Sequence, residues 1–313
     1  MSTEISAVIC TRNQSDYLWK SIDSLVRQTL SKEKYEIIIV DNGSTDSTKE
    51  VIKNFAGFEK LHYIHEPIVG LSQARNTGWQ NASGEYVAYL DDDAIASTNW
   101  LERIYNRFKT LEPRPVCIGG RIMPIWELNR PEWLTKELET YVGIIDWTDT
   151  LMFLKDDSFY LAGSNVCYQR RVLQESKGFN TSLGRKGDTL LSNEEILMQR
   201  YLMSRDFPIC YDPEILVQHH VKAKCLKERW FYKRYFWQGV SNVILEYQIS
   251  IAERHTWHFL SHFLLDVSHL IFSSAKYAGT KFTKSNKRVS TKCWNHHWRG
   301  RICTNIRIAF GHL

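Results

Sequence analysis

Three consecutive aspartates, Asp91-Asp92-Asp93, close an apolar stretch at residues 86–90. Adjacent carboxylates repel one another, so the run is a poor choice for stability alone, and a divalent cation relieves the repulsion. Mg²⁺ and Mn²⁺ prefer oxygen ligands, and Mg²⁺ typically takes one or two carboxylates together with substrate phosphates. Side chains of an extended segment alternate, which would turn Asp91 and Asp93 one way and Asp92 the other. The bland alternative is a solvated turn with an aspartate helix cap. A second acidic pair, Glu194-Glu195, precedes Ile196, Arg200 and Tyr201, whose spacing predicts a helix starting near the capping residue Asn193. In a first helical turn the macrodipole favours negative charge, which is a purely structural role for two glutamates. Asp41 opens the turn cluster DNGSTDST. There it either makes an Asx turn or accepts from a nucleobase or ribose, and position alone leaves both open. His219-His220 follows the strand-like run DPEILVQ; neighbours on a strand point to opposite faces, so at most one faces a site.

These groups need a scaffold, and the first half of the chain supplies one. Residues 5–10 (ISAVIC) and 35–40 (YEIIIV) are short apolar runs of strand length, the second expected of a strand covered on both faces. Residues 61–64 and 86–90 (YVAYL) read as two further strands. Between them lie helical patterns: Leu18, Ile22, Leu25 and Val26; Val51, Ile52 and Phe55; residues 71–81; and, after residue 99, Trp100, Leu101, Ile104 and Phe108. Strand–helix alternation predicts right-handed βαβ units and a parallel sheet covered by helices. Ligands of such sheets bind beyond the carboxyl ends of the strands. The residues just past three strands are Thr11-Arg12-Asn13, Asp41-Asn42-Gly43-Ser44 and Asp91-Asp92-Asp93.

The ordered blocks ISAVICTRN, EIIIVDNGSTDST, GLSQARNTGW and GEYVAYLDDDA, over roughly residues 5–110, resemble the family 2 glycosyltransferases. The resemblance implies an α/β fold of the GT-A type, a Rossmann-like nucleotide-binding sheet flanked by helices, and an inverting transfer from a nucleotide-diphosphate sugar. It implies that Thr11 and Arg12 lie near the nucleotide, that Asp41 contacts the base, and that Arg75 faces base and diphosphate. It sets Asp91 on the ribose side and Asp93 on a Mn²⁺ or Mg²⁺ ion, with Asp92 the spare member of a DDD run where the family has DxD. Residues 160–171 (YLAGSNVCYQRR) and GFN at 178–180 look like the family's acceptor-side segment, with Gly163, Ser164 and Asn165 bordering the sugar. Here Lys177 stands for the first glycine of the family's Gly-Gly-Phe-Asp, and Asn180 for its aspartate. Glu194-Glu195 resembles the family's Glu-Asp pair that holds the catalytic base. Glu195 is preferred as the base and Glu194 is the alternate, since glutamate for aspartate adds a methylene. A histidine after a late strand is a familiar extra metal ligand in related enzymes, and His219 takes that place.

Beyond residue 225 the resemblance fades. KERWFYKRYFWQG predicts a helix on which Trp230, Phe231, Arg234, Tyr235 and Gln238 recur at spacings of three and four, either packing under the site or stacking on a sugar or lipid. Residues 257–279 are moderately apolar, but three histidines and Asp266 interrupt them. Charge at the centre of a spanning helix costs about 2.5–3.5 kcal/mol, so an interfacial or packed helix is expected. After Asp266 there is no acidic residue and nine basic ones: Lys276, Lys281, Lys284, Lys287, Arg288, Lys292, Arg299, Arg301 and Arg307. The net charge is +5, so removing those nine leaves the first 266 residues at −4. Such asymmetry predicts a basic tail that meets phosphates, here an anionic membrane surface rather than nucleic acid.

Composition is consistent with this division. The chain has 313 residues, 43% apolar and 24% charged, which excludes wholesale disorder and fibrous repeats. Its seven cysteines form no CxxC pair, so zinc-ribbon and thioredoxin-like readings fail and reduced thiols are expected. The apolar run between Glu4 and Arg12 is a strand rather than a signal peptide, which suggests a cytoplasmic protein, peripheral on the inner face of a membrane. The expected organisation is a GT-A domain over 1–225 and a helical, basic extension over 226–313. The expected partners are a nucleotide-diphosphate sugar, with UDP favoured, and a glycan or lipid-linked acceptor. Two rival functions are a sugar-phosphate nucleotidyltransferase and a non-catalytic binder of anionic surfaces. The first wants a glycine-rich basic loop after the first strand, and CTRNQSDY has no glycine. The second leaves the carboxylate clusters unexplained, since these repel phosphate without a metal.

Overall fold

The computed structural model describes residues 3–253, 258–280 and 285–310. In chain order the elements begin β1 (Ile5–Thr11), α1 (Ser15–Val26), β2 (Tyr35–Asp41), α2 (Thr48–Lys53), β3 (Leu61–His65), α3 (Leu71–Gln80) and β4 (Tyr86–Asp91). There follow β5 (Ala94–Ala96), α4 (Trp100–Thr110), β6 (Cys117–Trp126), α5 (Lys136–Glu139), β7 (Met152–Phe153), β8 (Asn165–Gln169) and α6 (Arg170–Glu175). The last are α7 (Glu194–Met203), β9 (Ile209–Val221), α8 (Glu228–Glu253), α9 (His258–Gly279) and α10 (Ser285–Ala309).

The chain divides into two compact units. The first comprises Met1–Ile125, Gly143–Thr181 and Glu194–His220, and the second Trp126–Val142, Ser182–Asn193 and Val221–Leu313. The first is built on a mixed sheet of order β3-β2-β1-β4-β8-β6-β9-β5, with β7 pairing β9. Strands β1 to β4 are mutually parallel, and β8 runs antiparallel to both β4 and β6. The continuous apolar runs have a simple cause, because both faces of these strands are covered. Ile5, Ala7, Ile9, Ile37, Ile39, Ala88 and Leu90 pack with α1 and α4 on one face. Val8, Ile38, Val40, Val87 and Tyr89 pack with Ala74 of α3 and with Met198 and Leu202 of α7 on the other. Truncating one such residue, for example Ile39→Ala, costs about 2–5 kcal/mol.

Register decides what reaches the sheet's edge. Thr11 is level with Asp41 in the β1–β2 pair, and Cys10 with Asp91 in the β1–β4 pair. The first strand sends the chain outward to β2 and β3, after which it returns to β4 on the other side. The carboxyl ends of β1 and β4 therefore flank a topological switch point, the usual binding crevice of such sheets. Strand β8 begins at the same edge, with Asn165 opposite Leu90.

The second unit is helical, and α8 and α10 cross closely. A Cβ added at Gly239 would come within 2.1 Å of the His297 carbonyl oxygen, and one at Gly300 within 2.0 Å of that of Phe236. The aromatic face predicted on α8 is largely a packing face. Phe231 and Tyr235 are buried, Phe231 lies edge-on to Trp133 at 5.0 Å, and Tyr235 stacks on Tyr141 at 4.2 Å. Asn193 departs from its expected role as a helix cap. It has φ +75°, and its amide bonds Gln238 and Asn242 of α8. Arg301 is buried between Asp266 and Glu246, so it belongs to the interior and not to a basic surface. Lys281 and Lys284 lie outside the described residues, as does Trp257 of the apolar segment.

Candidate active site

The aspartate run leaves β4 as a tight turn into β5. Strand β5 pairs antiparallel with β9, setting Ala94 opposite His219, and the His220 N–H donates to the Asp93 carbonyl at 2.9 Å. His219 Nε2 lies 3.1 Å from Asp93 Oδ1. Asp91, Asp93 and His219 each offer a ligand atom, and these atoms lie within 4.8 Å of one another. Such a group could hold a metal ion, and it is the one group of this kind found among the described residues. Its donors, two carboxylates and one imidazole, fit a hard or borderline divalent ion with positions left for other oxygens. The neighbouring residues are tied into the fold. Ser21 Oγ donates to the Asp92 carbonyl at 2.8 Å, and the His220 ring packs 5.3 Å from Tyr17. Gly143, at φ +82°, backs the imidazole, and a Cβ there would sit 3.3 Å from His219 Cε1.

Arg75 joins this cluster to the glutamate pair. Helix α3 carries it into the interior, where it is only 3% exposed. Its Nη1 pairs with Glu194 Oε1, and its Nη2 lies 3.6 Å from Asp91 Oδ1. The rings of Tyr89 and Phe179 lie 5.9 and 5.7 Å from the guanidinium carbon. Burial alone would lower its pKa; Glu194, Asp91 and Glu195 more than offset that, and the net shift is upward. The guanidinium therefore stays charged. Asn76 next to it clamps the GFN turn, donating to the Phe179 carbonyl and accepting the Phe179 N–H, both at 2.8 Å. Lys177 in that turn holds φ +63°, a glycine-favouring conformation at the position where the resembled pattern has glycine.

Both glutamates sit in the first turn of α7. Glu194 Oε2 and Glu195 Oε2 are buried with no hydrogen-bond partner among the described residues. Burial, then the charge of Glu194, raises the pKa of Glu195, and Arg75 opposes them without cancelling them. A carboxylate with raised proton affinity is a better general base near neutral pH than an ordinary one. Gln199, one turn on, fixes the helix to the loop before β8: its Oε1 accepts the Leu161 N–H at 2.8 Å and its Nε2 donates to the Leu161 carbonyl at 2.7 Å.

The expected acceptor-side residues lie close by in varied circumstances. Gly163 gives Arg75 room, since a Cβ there would fall 2.1 Å from Nη2. Ser164 is buried. Asn165 is spent inside the sheet, donating to the Arg121 and Ile215 carbonyls and accepting from Trp100 Nε1. On the expected nucleotide side, Asp41 is buried and accepts from the Ser44 N–H and the Tyr63 hydroxyl, both at 2.8 Å. The Asx-turn reading of Asp41 is thus met by its bond to the Ser44 N–H. Asn13 accepts the Thr45 N–H at 2.7 Å, tying the loops after β1 and β2 together. Thr11 Oγ1 is buried without a hydrogen-bond partner among the described residues, while Arg12 is exposed. Register, Arg75 and the loop ties gather these residues within one unit.

Residues 6–176 match the family described as Glycosyl transferase family 2. Among relatives, a glucosyl-dolichyl phosphate glucuronosyltransferase of Haloferax volcanii is 27% identical over 247 residues, 78% of this chain and 77% of the relative. A poly(ribitol-phosphate) beta-glucosyltransferase of Bacillus spizizenii is 28% identical over 66% of this chain, which spans only 32% of that protein. Among solved structures, the mannosyltransferase PcManGT from Pyrobaculum calidifontis, in complex with GDP-Man and Mn²⁺, superposes with a TM-score of 0.61 at 14% identity, covering 100% of this chain and 89% of that one. Residues 1–349 of S. aureus TarS with UDP give 0.54 at 14% identity, covering 99% and 92%. These likenesses show the GT-A fold with a helical C-terminal region, as the sequence resemblance implies. With more than half of its length inside the family match, this chain belongs to glycosyl transferase family 2 and is a glycosyltransferase.

Proposed function

We propose that the protein is a metal-dependent, inverting glycosyltransferase that moves a sugar from a nucleotide-diphosphate donor to a glycan or lipid-linked acceptor. The observation that supports this reading is the run of charges from the half-exposed Asp91 through the buried Arg75 to the buried Glu194, which links the aspartate run to the helix of the glutamate pair. In this reading Thr11, Arg12 and Asp41 receive the nucleoside, with UDP favoured, and Asp91 lines the ribose side of the donor site with Asp92, the spare member of the run, beside it. Asp91, Asp93 and His219 would hold Mn²⁺ or Mg²⁺. When bound, that ion supplies positive charge to the diphosphate leaving group. Glu195 takes the proton of the acceptor hydroxyl as its oxygen bonds to the anomeric carbon and the bond to the diphosphate breaks. Arg75 adds fixed positive charge behind the same diphosphate and keeps Glu194 in place. Gly163 and Ser164 border the sugar, and Asn165 sets the strand that carries them.

The dolichyl phosphate in the name of the Haloferax relative supports a lipid-linked acceptor. No described helix is long and apolar enough to cross a membrane. The working division is a transferase domain over 1–225 and a basic extension over 226–313 that meets an anionic membrane on its cytoplasmic side. Nothing favours the nucleotidyltransferase or the non-catalytic binder. The test is a thermal-shift screen of nucleotide-diphosphate sugars with Mn²⁺, followed by donor-hydrolysis assays with Mn²⁺ or EDTA. At least one donor should raise the melting temperature only with the ion, and EDTA should abolish turnover. Full turnover in EDTA would sink the metal assignment.

A further inference from the structure

Helix α9 turns an apolar face outward. Its inward side carries the buried Asp266 and Ser273 among the half-buried Phe263, Val267, Leu270 and Tyr277, while its outward positions carry Leu264, Leu265, Ile271 and Phe272, 64, 54, 66 and 69% exposed. Exposed positions 264, 265, 268, 271, 272 and 275 recur every three or four residues, so they form one stripe along the helix. A helix that meets water on its outer face carries polar residues there. The helix cannot roll to hide the stripe, because Asp266 is anchored inward by Arg301 Nε at 2.7 Å and Asn305 Nδ2 at 2.9 Å.

The surroundings say what the stripe meets. The chain has no acidic residue after Asp266, and Lys276, Lys287, Arg299 and Arg307 are exposed. The helix has 22 residues, roughly 33 Å at 1.5 Å per residue, and it does not qualify as a membrane span. An apolar stripe parallel to the axis, on a helix with exposed cations close by in sequence, suits a helix lying in the plane of a bilayer surface. A self-contact through the same face would bring those cations toward their own copies, which is unfavourable.

We propose that the outward face of α9, with basic residues of α9 and α10, docks on an anionic phospholipid bilayer. The proposal deepens the membrane-surface reading above and rests on it: it names the face, the helix orientation and the lipid charge. The leucines, isoleucine and phenylalanine enter the acyl boundary, and the cations meet the head groups.

Flotation of the full chain with vesicles of phosphatidylcholine, with and without phosphatidylglycerol, tests it. The chain should float with the anionic vesicles and be released by high salt. Replacing Leu264, Leu265, Ile271 and Phe272 together by glutamine should cut binding at least about tenfold, with an unchanged melting temperature because these side chains face outward. Lys276→Glu with Lys287→Glu should also weaken binding, by about tenfold, while leaving the apolar stripe intact. Flotation of the glutamine variant equal to that of the parent would overturn the proposal. So would a failure of the parent to float, or a parent dimer that the glutamine variant turns into monomers. Nucleotide-sugar binding read on the same samples separates the two claims. Lost flotation with intact donor binding rejects the docking face alone, and intact flotation without donor binding rejects the proposed donor site alone.

Discussion

Arg75 and Arg301 are both buried, and each sits between two carboxylates, Glu194 and Asp91 for the first, Glu246 and Asp266 for the second. Around Arg301 every carboxylate oxygen is used. Nη1 and Nη2 take both oxygens of Glu246, at 2.7 and 2.9 Å, Nε takes Asp266 Oδ1, and Asn305 takes Asp266 Oδ2. Around Arg75 the account does not close: Glu194 Oε2 and Glu195 Oε2 are buried with no hydrogen-bond partner among the described residues. Satisfied buried networks fix a fold, whereas each orphaned group costs stability and calls for an explanation. The two arginines therefore mark different tasks. One clamps three helices together, and the other holds acidic groups in an unsatisfied state, as the proposed base chemistry would require.

The contrast can be broken at several points. Glu195→Gln should have the largest effect, a loss of turnover of about 10²–10⁴-fold with donor binding and melting temperature retained, measured by steady-state kinetics and calorimetry. If Glu194→Gln does this and Glu195→Gln does not, the base is the neighbouring residue. Arg301→Ala should act on stability instead. It leaves Asp266 buried with the Asn305 amide but no cation beside it, at a cost of about 3 kcal/mol in urea titration, the low end for a broken buried pair because Glu246 is 44% exposed. Asp93→Ala should remove the rise in melting temperature that Mn²⁺ gives the parent, without unfolding the protein; an undiminished rise would reject that ligand. Gly163→Ala pushes a methyl into the guanidinium space, and turnover should drop by about tenfold as Arg75 and Glu194 shift, while Arg301 and its partners are unaffected.

The smallest effect concerns pH. Glu195 titrates above the ordinary carboxylate range because of burial and Glu194, so the acid limb of the turnover profile should lie above that range. Glu194→Gln removes a like charge and should move the limb to lower pH. For stability the sign is the opposite of the usual carboxylate case. The folded state holds the proton more tightly, so the contribution of Glu195 is present below its unfolded pKa and is lost as pH rises through the folded one. Urea midpoints across that interval should fall in the parent and stay flat in Glu195→Gln.

Much of this was legible in the residues alone. The runs at 5–10, 35–40 and 86–90 read as strands because burial on both faces makes them almost wholly apolar, Ser6 and Glu36 being the exceptions and bonding each other. The acidic edge was legible because like charges side by side need a reason, and strand polarity says where such residues emerge. Three features were not legible. The pairing of Arg75 with Glu194 spans 119 residues, and nothing local announces it. Gly163 looks like a turn residue and is in fact the space that a guanidinium occupies. The outward apolar face of α9 was hidden because a helix apolar on both sides has no polar face to betray its orientation, and only packing decides which side looks inward.

The level endings of β1, β2 and β4 carry a consequence for how such an enzyme can diversify. A single residue inserted into β4 would exchange its two faces, turning Tyr89 and Leu90 out of their layers and swinging Asp91 away from Arg75. Loops that begin after β1 and β2 can lengthen without exchanging the faces of any strand. New donors and acceptors are therefore most readily acquired by rewriting those loops, while the ruled lines from which they start stay untouched.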